Sequence, residues 1–362
     1  MATPTIAYGF IGLEHLFSTR VQQAGPARVF TAIQESADEH NRVVNALMAS
    51  LVEQTTVPQE QFELPAGGTL QPLDEWGNPL PVKHSGSYQV GYPIQGGGTA
   101  WGTNRVSAAH MTVQETNREV VEAQTKDADW LRRHILAALL DKSSWTFNDK
   151  IGPNGSKGLG SITIQPLANG DSVVYLRTGG SSSTDSHYLG QADAIDDSHN
   201  PFPTIYDELM EHPSNSGPVV VYVATTLTTS IEALANFVPV TDPDLRIGAD
   251  SDELVGSLAL GFGDEVLGKV DKCWIVEWKA LPDDYMIAHA QGAGAVLKMR
   301  EYVPTELQGL FPEEHSPDGN RKEMRMIRYA GFGVSNRVGA VCYYIGNATY
   351  PTPAAYDAPL AV

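Results

Sequence analysis

Two stretches of the chain place hydrophobic residues at the three- and four-residue steps of an amphipathic α-helix. The first predicted helix lies between Arg28 and Gln54, and Pro58 ends it. Its apolar stripe consists of Val29, Ile33, Ala37, Val43, Leu47 and Leu51. The second predicted helix covers 113–140, a length of about 42 Å. Its stripe consists of Val113, Val120, Ala128, Leu131, Ile135 and Leu139.

Beyond residue 150 the pattern alternates between short apolar runs and short helical segments. A glycine-rich turn is predicted at 151–160. Strands are predicted at 161–165, 172–176, 218–224, 273–278, 285–290, 298–302 and 323–329, and helices at 203–211 and 226–237. The run 218–224 is apolar throughout, which is typical of a strand buried on both faces. The turn signal at 281–284 predicts that 273–278 and 285–290 pair as a hairpin.

Residues 59–105 fit neither pattern. They contain repeated prolines and glycines, which exclude a helix, and too few aliphatic residues to form a core of their own. The aromatic residues among them argue against disorder and are Trp76, Tyr88, Tyr92 and Trp101. We therefore predict a long two-stranded excursion that packs on another molecule.

Composition and charge exclude several classes of protein. The chain has 362 residues, of which 43 are acidic and 24 are basic, giving a net charge of −19 that argues against a mainly nucleic-acid-binding surface. Between residues 181 and 265 there are 15 acidic residues, and Arg246 is the one basic residue. Cys273 and Cys342 are the two cysteines and are too few for a disulfide scaffold. The N-terminus lacks the order of a signal peptide, and no apolar run is long enough to span a bilayer.

The sequence offers no convincing active site. The HExxH, GxSxG and Walker motifs are missing, and G-x-G triplets starting at Gly158, Gly261, Gly292 and Gly331 lack the third glycine of a dinucleotide site, so they are interpreted as turns. We predict no catalytic residue and no cofactor.

Two loops have residues that could bind a cation. His187 and His199 flank Asp193, Asp196 and Asp197, and a solvated loop is favoured over a metal site there. Residues 242–253 are similar to a calcium loop, but Arg246 stands where an oxygen ligand is needed. A weak cation site stays open at that loop, although a solvated turn before a helix cap is favoured. We predict no metal ligands.

The order of predicted elements resembles that of the major capsid proteins of tailed bacteriophages, which have the Hong Kong-ninety-seven-type capsid fold. The most telling local similarity is residues 324–337, an arginine-bearing strand that runs into the sequence Gly-Phe-Gly-Val at 331–334. Residues 219–223, which lead into a helix, and the pair of strands at 273–290 before 298–301 are also similar to that family.

This resemblance implies an α+β subunit with six parts. They are an N-terminal arm and helix at 1–58, an extended β-hairpin loop at 59–105, the spine helix of the peripheral domain at 106–150, an axial domain at 151–299, peripheral-domain strands at 300–347 and a C-terminal tail at 348–362.

The resemblance also implies residues that contact neighbouring subunits. The aromatic residues of the loop (Trp76, Tyr88, Tyr92 and Trp101) are expected to be such contacts, with packing inside the hairpin as the alternative. Arg325 and Arg328 are expected to meet acidic groups in the assembly. Their odd spacing places them on opposite faces of a strand, so a simple phosphate-binding row is not supported.

Some members of the family join a loop lysine to a peripheral-domain asparagine by a covalent bond. Lys83 and Asn336 occupy the corresponding places. No activating carboxylate can be assigned to them, so we expect contact without a cross-link.

The function implied is structural and non-enzymatic. Hexamers and pentamers would assemble in the host cytoplasm into an icosahedral virion shell around double-stranded DNA, which they would contact weakly and non-specifically. A separate scaffolding protein, a portal and a decoration protein are the implied partners, without a membrane. An encapsulin-type cargo shell is one alternative, although encapsulins are usually shorter and have a smaller loop. An α/β enzyme with a mobile lid over 59–105 is the other.

Overall fold

The computed structural model describes residues 19–64, 73–79, 86–104, 110–151, 157–170, 174–177, 181–182, 185–240, 265–315 and 321–360. Lys83 and the calcium-like loop 242–253 lie outside these ranges. The helices in the described residues are α1 (Val21–Ala24), α2 (Pro26–Met48), α3 (Val113–Leu140), α4 (Phe202–Met210) and α5 (Thr228–Glu232). None of these helices combines the length and apolarity that crossing a membrane requires.

The long helix α3 has the bounds that its sequence pattern predicts. It begins with a capping box, in which the Thr112 hydroxyl accepts from the Glu115 N–H and the Glu115 carboxylate accepts from the Thr112 N–H. The predicted stripe is wrong at one position: Ala128 is exposed, and its neighbour Asp127 is buried. In α2, Leu47 is likewise exposed and Met48 is buried.

Eighteen strands occur in the described residues. They are β1 (Val52–Thr55), β2 (Gln59–Leu64), β3 (Gly86–Gly91), β4 (Gln95–Asn104), β5 (Trp145–Ile151), β6 (Lys157–Ile164), β7 (Val174–Tyr175), β8 (Ser181–Ser182), β9 (Tyr188–Gln191), β10 (Val219–Val223), β11 (Phe237–Pro239), β12 (Glu265–Val270), β13 (Cys273–Glu277), β14 (Tyr285–Ala290), β15 (Leu297–Arg300), β16 (Leu310–His315), β17 (Arg321–Val334) and β18 (Ala340–Ile345).

A seven-stranded sheet has the order β11-β12-β13-β10-β14-β18-β9. Strand β10 lies at its centre, parallel to β13 and antiparallel to β14. The predicted hairpin between 273–278 and 285–290 is therefore wrong, because β10 lies between the two strands. All five residues of β10 are buried, as its apolar run predicts.

A five-stranded sheet has the order β1-β15-β17-β16, and β4 also pairs with β17. Strand β17 is 14 residues long and pairs with three strands along its length, namely β16, β4 and β15. Strand β4 was predicted as part of the extended loop, yet it belongs to this sheet. Strand β18 pairs with β14 and β9 of the larger sheet, and it does not pair with β17.

Three other segments differ from the sequence prediction. The predicted helix between Arg28 and Gln54 ends early, because α2 ends at Met48 and β1 begins at Val52. The predicted helix at 226–237 shortens to α5 preceded by a 3-10 turn, and its last residue begins β11. The predicted turn at 151–160 overlaps the paired strands β5 and β6.

Helix α3 connects the two sheets through the core. Its C-terminal half contributes Leu131, Ile135 and Leu139 to a cluster that includes Val220 and Tyr222 of β10. The opposite face of β10 packs on α4 in a second cluster. A third cluster joins the N-terminal half of α3 to α2 and to the strands β16 and β17. Both faces of the seven-stranded sheet are thus covered, which explains why β10 is apolar at every position.

Candidate functional site: an apolar hairpin tip and the charged groups at its base

The hairpin β2–β3 has an aromatic pair on its strands and exposed apolar residues near its tip. Phe62 stacks on the opposite Tyr88 with ring centroids 5.3 Å apart, and the Arg337 guanidinium lies 5.6 Å from the Tyr88 ring. In the segment 73–79, Leu73 is 62% exposed and Trp76 is 87% exposed. An indole left this exposed in an isolated subunit is typical of a contact with another molecule.

A compact turn presents Trp76. Asp74 accepts hydrogen bonds at one carboxylate oxygen from the N–H groups of Trp76 (2.9 Å) and Asn78 (2.7 Å). The Asn78 amide donates to the other oxygen at 3.1 Å, and Gly77 adopts φ 79°, which a side chain would disfavour. The backbone hydrogen bond from Asn78 contributes most to lowering the pKa of Asp74. The turn is therefore ordered by its own hydrogen bonds.

The base of the hairpin is held by side chains of β15. Lys298 donates to both carboxylate oxygens of Glu60 in β2, at 2.8 and 2.9 Å. The Tyr92 hydroxyl donates to the same carboxylate at 2.8 Å, and Tyr92 is fully buried. Burial, and then the hydrogen bond to Glu60, raise the pKa of Tyr92 far above its ordinary value, so the phenol stays a donor.

Arg300 links this base to the second hairpin, β5–β6. It donates to the Tyr92 carbonyl at 2.9 Å and to the Asp149 carboxylate in β5 at 3.0 Å. Both side chains of the ion pair are at most 3% exposed. A buried pair of this kind is strongly destabilised when one partner is removed, because the other charge is left without compensation.

Two glycines of β17 allow the chain after β3 to cross close to that strand. A Cβ atom at Gly331 would lie 2.3 Å from the Pro93 carbonyl oxygen, and one at Gly333 would lie 2.6 Å from the Gly91 carbonyl oxygen. Steric crowding thus requires both glycines of the Gly-Phe-Gly-Val sequence, since a larger residue at either position would displace the base of the hairpin.

Asp127 connects both long helices to β17. Arg328 donates to its two carboxylate oxygens, at 2.6 and 2.9 Å, and the His40 Nε2 lies 2.8 Å from one of them. Arg328 also donates to the Asn41 side-chain oxygen at 2.7 Å. Burial opposes ionisation of Asp127, yet the hydrogen bond with His40 and the charge of Arg328 lower its pKa.

The structure corrects two of the predicted subunit contacts. The side chains of Tyr92 and Arg328 are buried within the chain and pair with Glu60 and Asp127, so neither is available to a neighbour. Arg325 faces the other side of β17 opposite Glu313, as the odd spacing predicts.

The other residues predicted to contact a neighbouring subunit differ in how far they are buried and in what they contact. Trp101 is partly buried against the cluster between α2 and α3. Asn336 donates to the Ala293 carbonyl at 3.1 Å. Trp76 keeps the exposure that a contact needs. The predicted pairing of Asn336 with Lys83 lies outside the described residues.

The predicted loop of histidines and aspartates separates into two places. The side chain of His199 is exposed, and its ring nitrogens lie 2.9 Å from the Asp196 carboxylate and 3.6 Å from the Asp193 carboxylate. His187 is instead buried beside Asp185 and His212, a group that the sequence prediction missed. Nothing in the spacing of these residues, 25 positions between the two histidines, signals that they meet.

No protein-family model and no curated protein matches the chain. Among solved structures, a chain from Mycobacterium phage Patience is 19% identical to this one. The match covers 96% of this chain and 96% of the phage chain, with a TM-score of 0.68. The mature capsid of bacteriophage PhiM1 is 10% identical, covers 82% of this chain and 85% of its own, and has a TM-score of 0.50. The chain therefore has the fold of the bacteriophage capsid proteins, and the predicted Hong Kong-ninety-seven-type fold class is confirmed.

Proposed function

We propose that this chain is a non-enzymatic capsid subunit whose copies assemble as hexamers and pentamers into an icosahedral shell around double-stranded DNA. The observation that carries this proposal is the likeness to the phage structure over nearly the whole of both chains. On this proposal the subunit is a virion component, with a separate scaffolding protein, a portal and a decoration protein as candidate partners.

The architecture supports an assignment of parts. We assign residues 59–91 to the extended loop, since β4 is already a strand of the five-stranded sheet. That sheet together with α2 and α3 forms the peripheral domain, and the seven-stranded sheet with α4 forms the axial domain. The shell contact of the loop is its tip, because Leu73 and Trp76 are exposed there while Tyr92 is buried at the base.

Electron microscopy of the full chain, produced alone and with a scaffolding protein, tests this function. We expect closed shells of uniform size, which would enclose DNA when packaging proteins are present. Shells filled with a cargo protein would support the encapsulin alternative. A monomer or dimer under every assembly condition would contradict both kinds of shell.

Matched variants test the loop contact. Leu73→Ser and Trp76→Ala are expected to block assembly without lowering the melting temperature of the subunit, because both side chains contact little of their own chain. An interface tryptophan that is buried on assembly commonly contributes about 2 kcal/mol or more. Leu159→Ser is the control, since Leu159 in β6 is 57% exposed but lies outside the tip. Equal assembly by all three variants would refute the assigned contact.

A further inference from the structure

A buried group of histidines and carboxylates lies where the segment before β9 meets the C-terminal end of α4. Asp185 and His187 come from the first segment, and Glu208, Glu211 and His212 come from the second. The side chains of Asp185, His187 and His212 are at most 2% exposed. The capsid function proposed above uses none of these residues.

The ligand atoms of this group are spaced like those around one tetrahedral metal ion. His187 Nε2 lies 3.0 Å from His212 Nε2, His212 Nε2 lies 3.4 Å from Asp185 Oδ2, and His187 Nε2 lies 3.8 Å from Asp185 Oδ1. Atoms bound at about 2.1 Å to a tetrahedral zinc ion lie about 3.4 Å from each other. The two histidine nitrogens and the Asp185 carboxylate therefore lie close enough together to share one ion.

The hydrogen bonding of His187 orients it as a ligand. Its Nδ1 lies 2.6 Å from the Ala340 carbonyl oxygen, which can only accept, so we assign the proton to Nδ1. The lone pair of Nε2 is then directed toward His212 Nε2, 3.0 Å away. A backbone carbonyl that fixes the opposite nitrogen in this way is the usual support of a metal-binding histidine.

Asp185 supplies a second, independent observation. Both of its carboxylate oxygens are buried, and neither has a hydrogen-bond donor among the described residues. A buried carboxylate without a partner is costly.

We propose that Asp185, His187 and His212 bind one divalent transition-metal ion of the zinc class, with Glu208 or Glu211 as the fourth ligand. Imidazole nitrogen combined with carboxylate oxygen is a donor set that suits zinc. Glu211 Oε1 lies 3.7 Å from His212 Nε2, within the span of one coordination sphere. The ion would be structural, because it joins the end of α4 to the start of β9 and to the Ala340 carbonyl at the start of β18.

Metal binding by the untagged full-length subunit tests this proposal, and it does not depend on whether shells form. The subunit is first stripped with chelator, then incubated with Zn²⁺ and dialysed to remove unbound ion. We expect one Zn²⁺ per subunit by elemental analysis and a rise in melting temperature that chelator reverses. Co²⁺ in place of Zn²⁺ should give the strong visible absorption of a four-coordinate site. A subunit that binds neither ion stoichiometrically would overturn the proposal, whatever the variants do.

Variants locate the site. Asp185→Asn and His212→Gln should weaken Zn²⁺ binding by at least about 100-fold and abolish the Co²⁺ bands. The double variant Glu208→Gln/Glu211→Gln removes both candidates for the fourth ligand, so it should weaken Zn²⁺ binding, and it tests the site if the buried variants fail to fold. His199→Ala is the matched control, since His199 also lies beside two aspartates but is exposed. Binding that is lost in this control and kept in the other variants would refute the assignment.

Discussion

The buried contacts of Asp127 give the sharpest test of how this subunit is held together. Asp127→Asn keeps the shape of the side chain and removes its charge. Arg328, which is buried, would then lose the carboxylate that accepts from its Nε and Nη2 atoms. Its remaining acidic neighbour is Glu301, whose carboxylate lies 3.7 Å from Nη1. Since this second contact is long, it compensates little of the lost charge.

The expected cost follows from the burial of the pair. Both side chains are at most 4% exposed, and removing one partner of such a pair costs about 3–5 kcal/mol. Urea unfolding of the unassembled subunit, followed by tryptophan fluorescence at a fixed protein concentration, measures this loss. Arg328→Met in the Asp127→Asn background leaves neither charge buried, so the double variant should lose at least about 1 kcal/mol less than the sum of the single changes.

The same helix provides a matched control. Asp129 forms an ion pair with Arg132 at 2.7 Å, but these side chains are 58% and 47% exposed. Asp129→Asn should change the free energy of unfolding by no more than about 0.5 kcal/mol, because water screens the pair. If Asp127→Asn costs as little as Asp129→Asn, the buried contacts do not stabilise the fold and the reasoning fails.

Three further outcomes are expected. The pKa of Asp127 is lowered in the folded chain, so the ionised carboxylate stabilises the fold above the ordinary pKa of an aspartate, and this stability is lost as pH falls through the lowered value. Between about pH 5 and pH 2, the melting temperature should therefore fall less in Asp127→Asn than in the wild type. Arg300→Ala should cost about 3–5 kcal/mol in urea unfolding because it leaves Asp149 buried and unpaired, and a loss under 1 kcal/mol would contradict this. Assembled shells should melt at higher temperature as salt or Mg²⁺ is added, because the acidic region 181–265 repels its copies; equal melting temperatures across the series would remove this idea.

Part of the fold follows from the sequence alone. The bounds of α3 follow from the spacing of apolar residues and from the capping box at Thr112, which act over four residues or fewer. The burial of β10 follows from its unbroken apolar run. The order of elements was sufficient for the capsid-type fold, whereas the aromatic residues predicted to be presented by the loop divide between an exposed Trp76 and a buried Tyr92.

Only the tertiary structure decided which distant segments meet. No local signal places β10 between β13 and β14, because sheet order depends on which strands pair over long distances. The same holds for Asp127 with Arg328, and for His187 with His212: these partners are 201 and 25 positions apart. Asp127 shows the physical reason most clearly, since a helical pattern assigns that face to apolar residues. A charge is stable there only because Arg328 and His40 reach it from other elements.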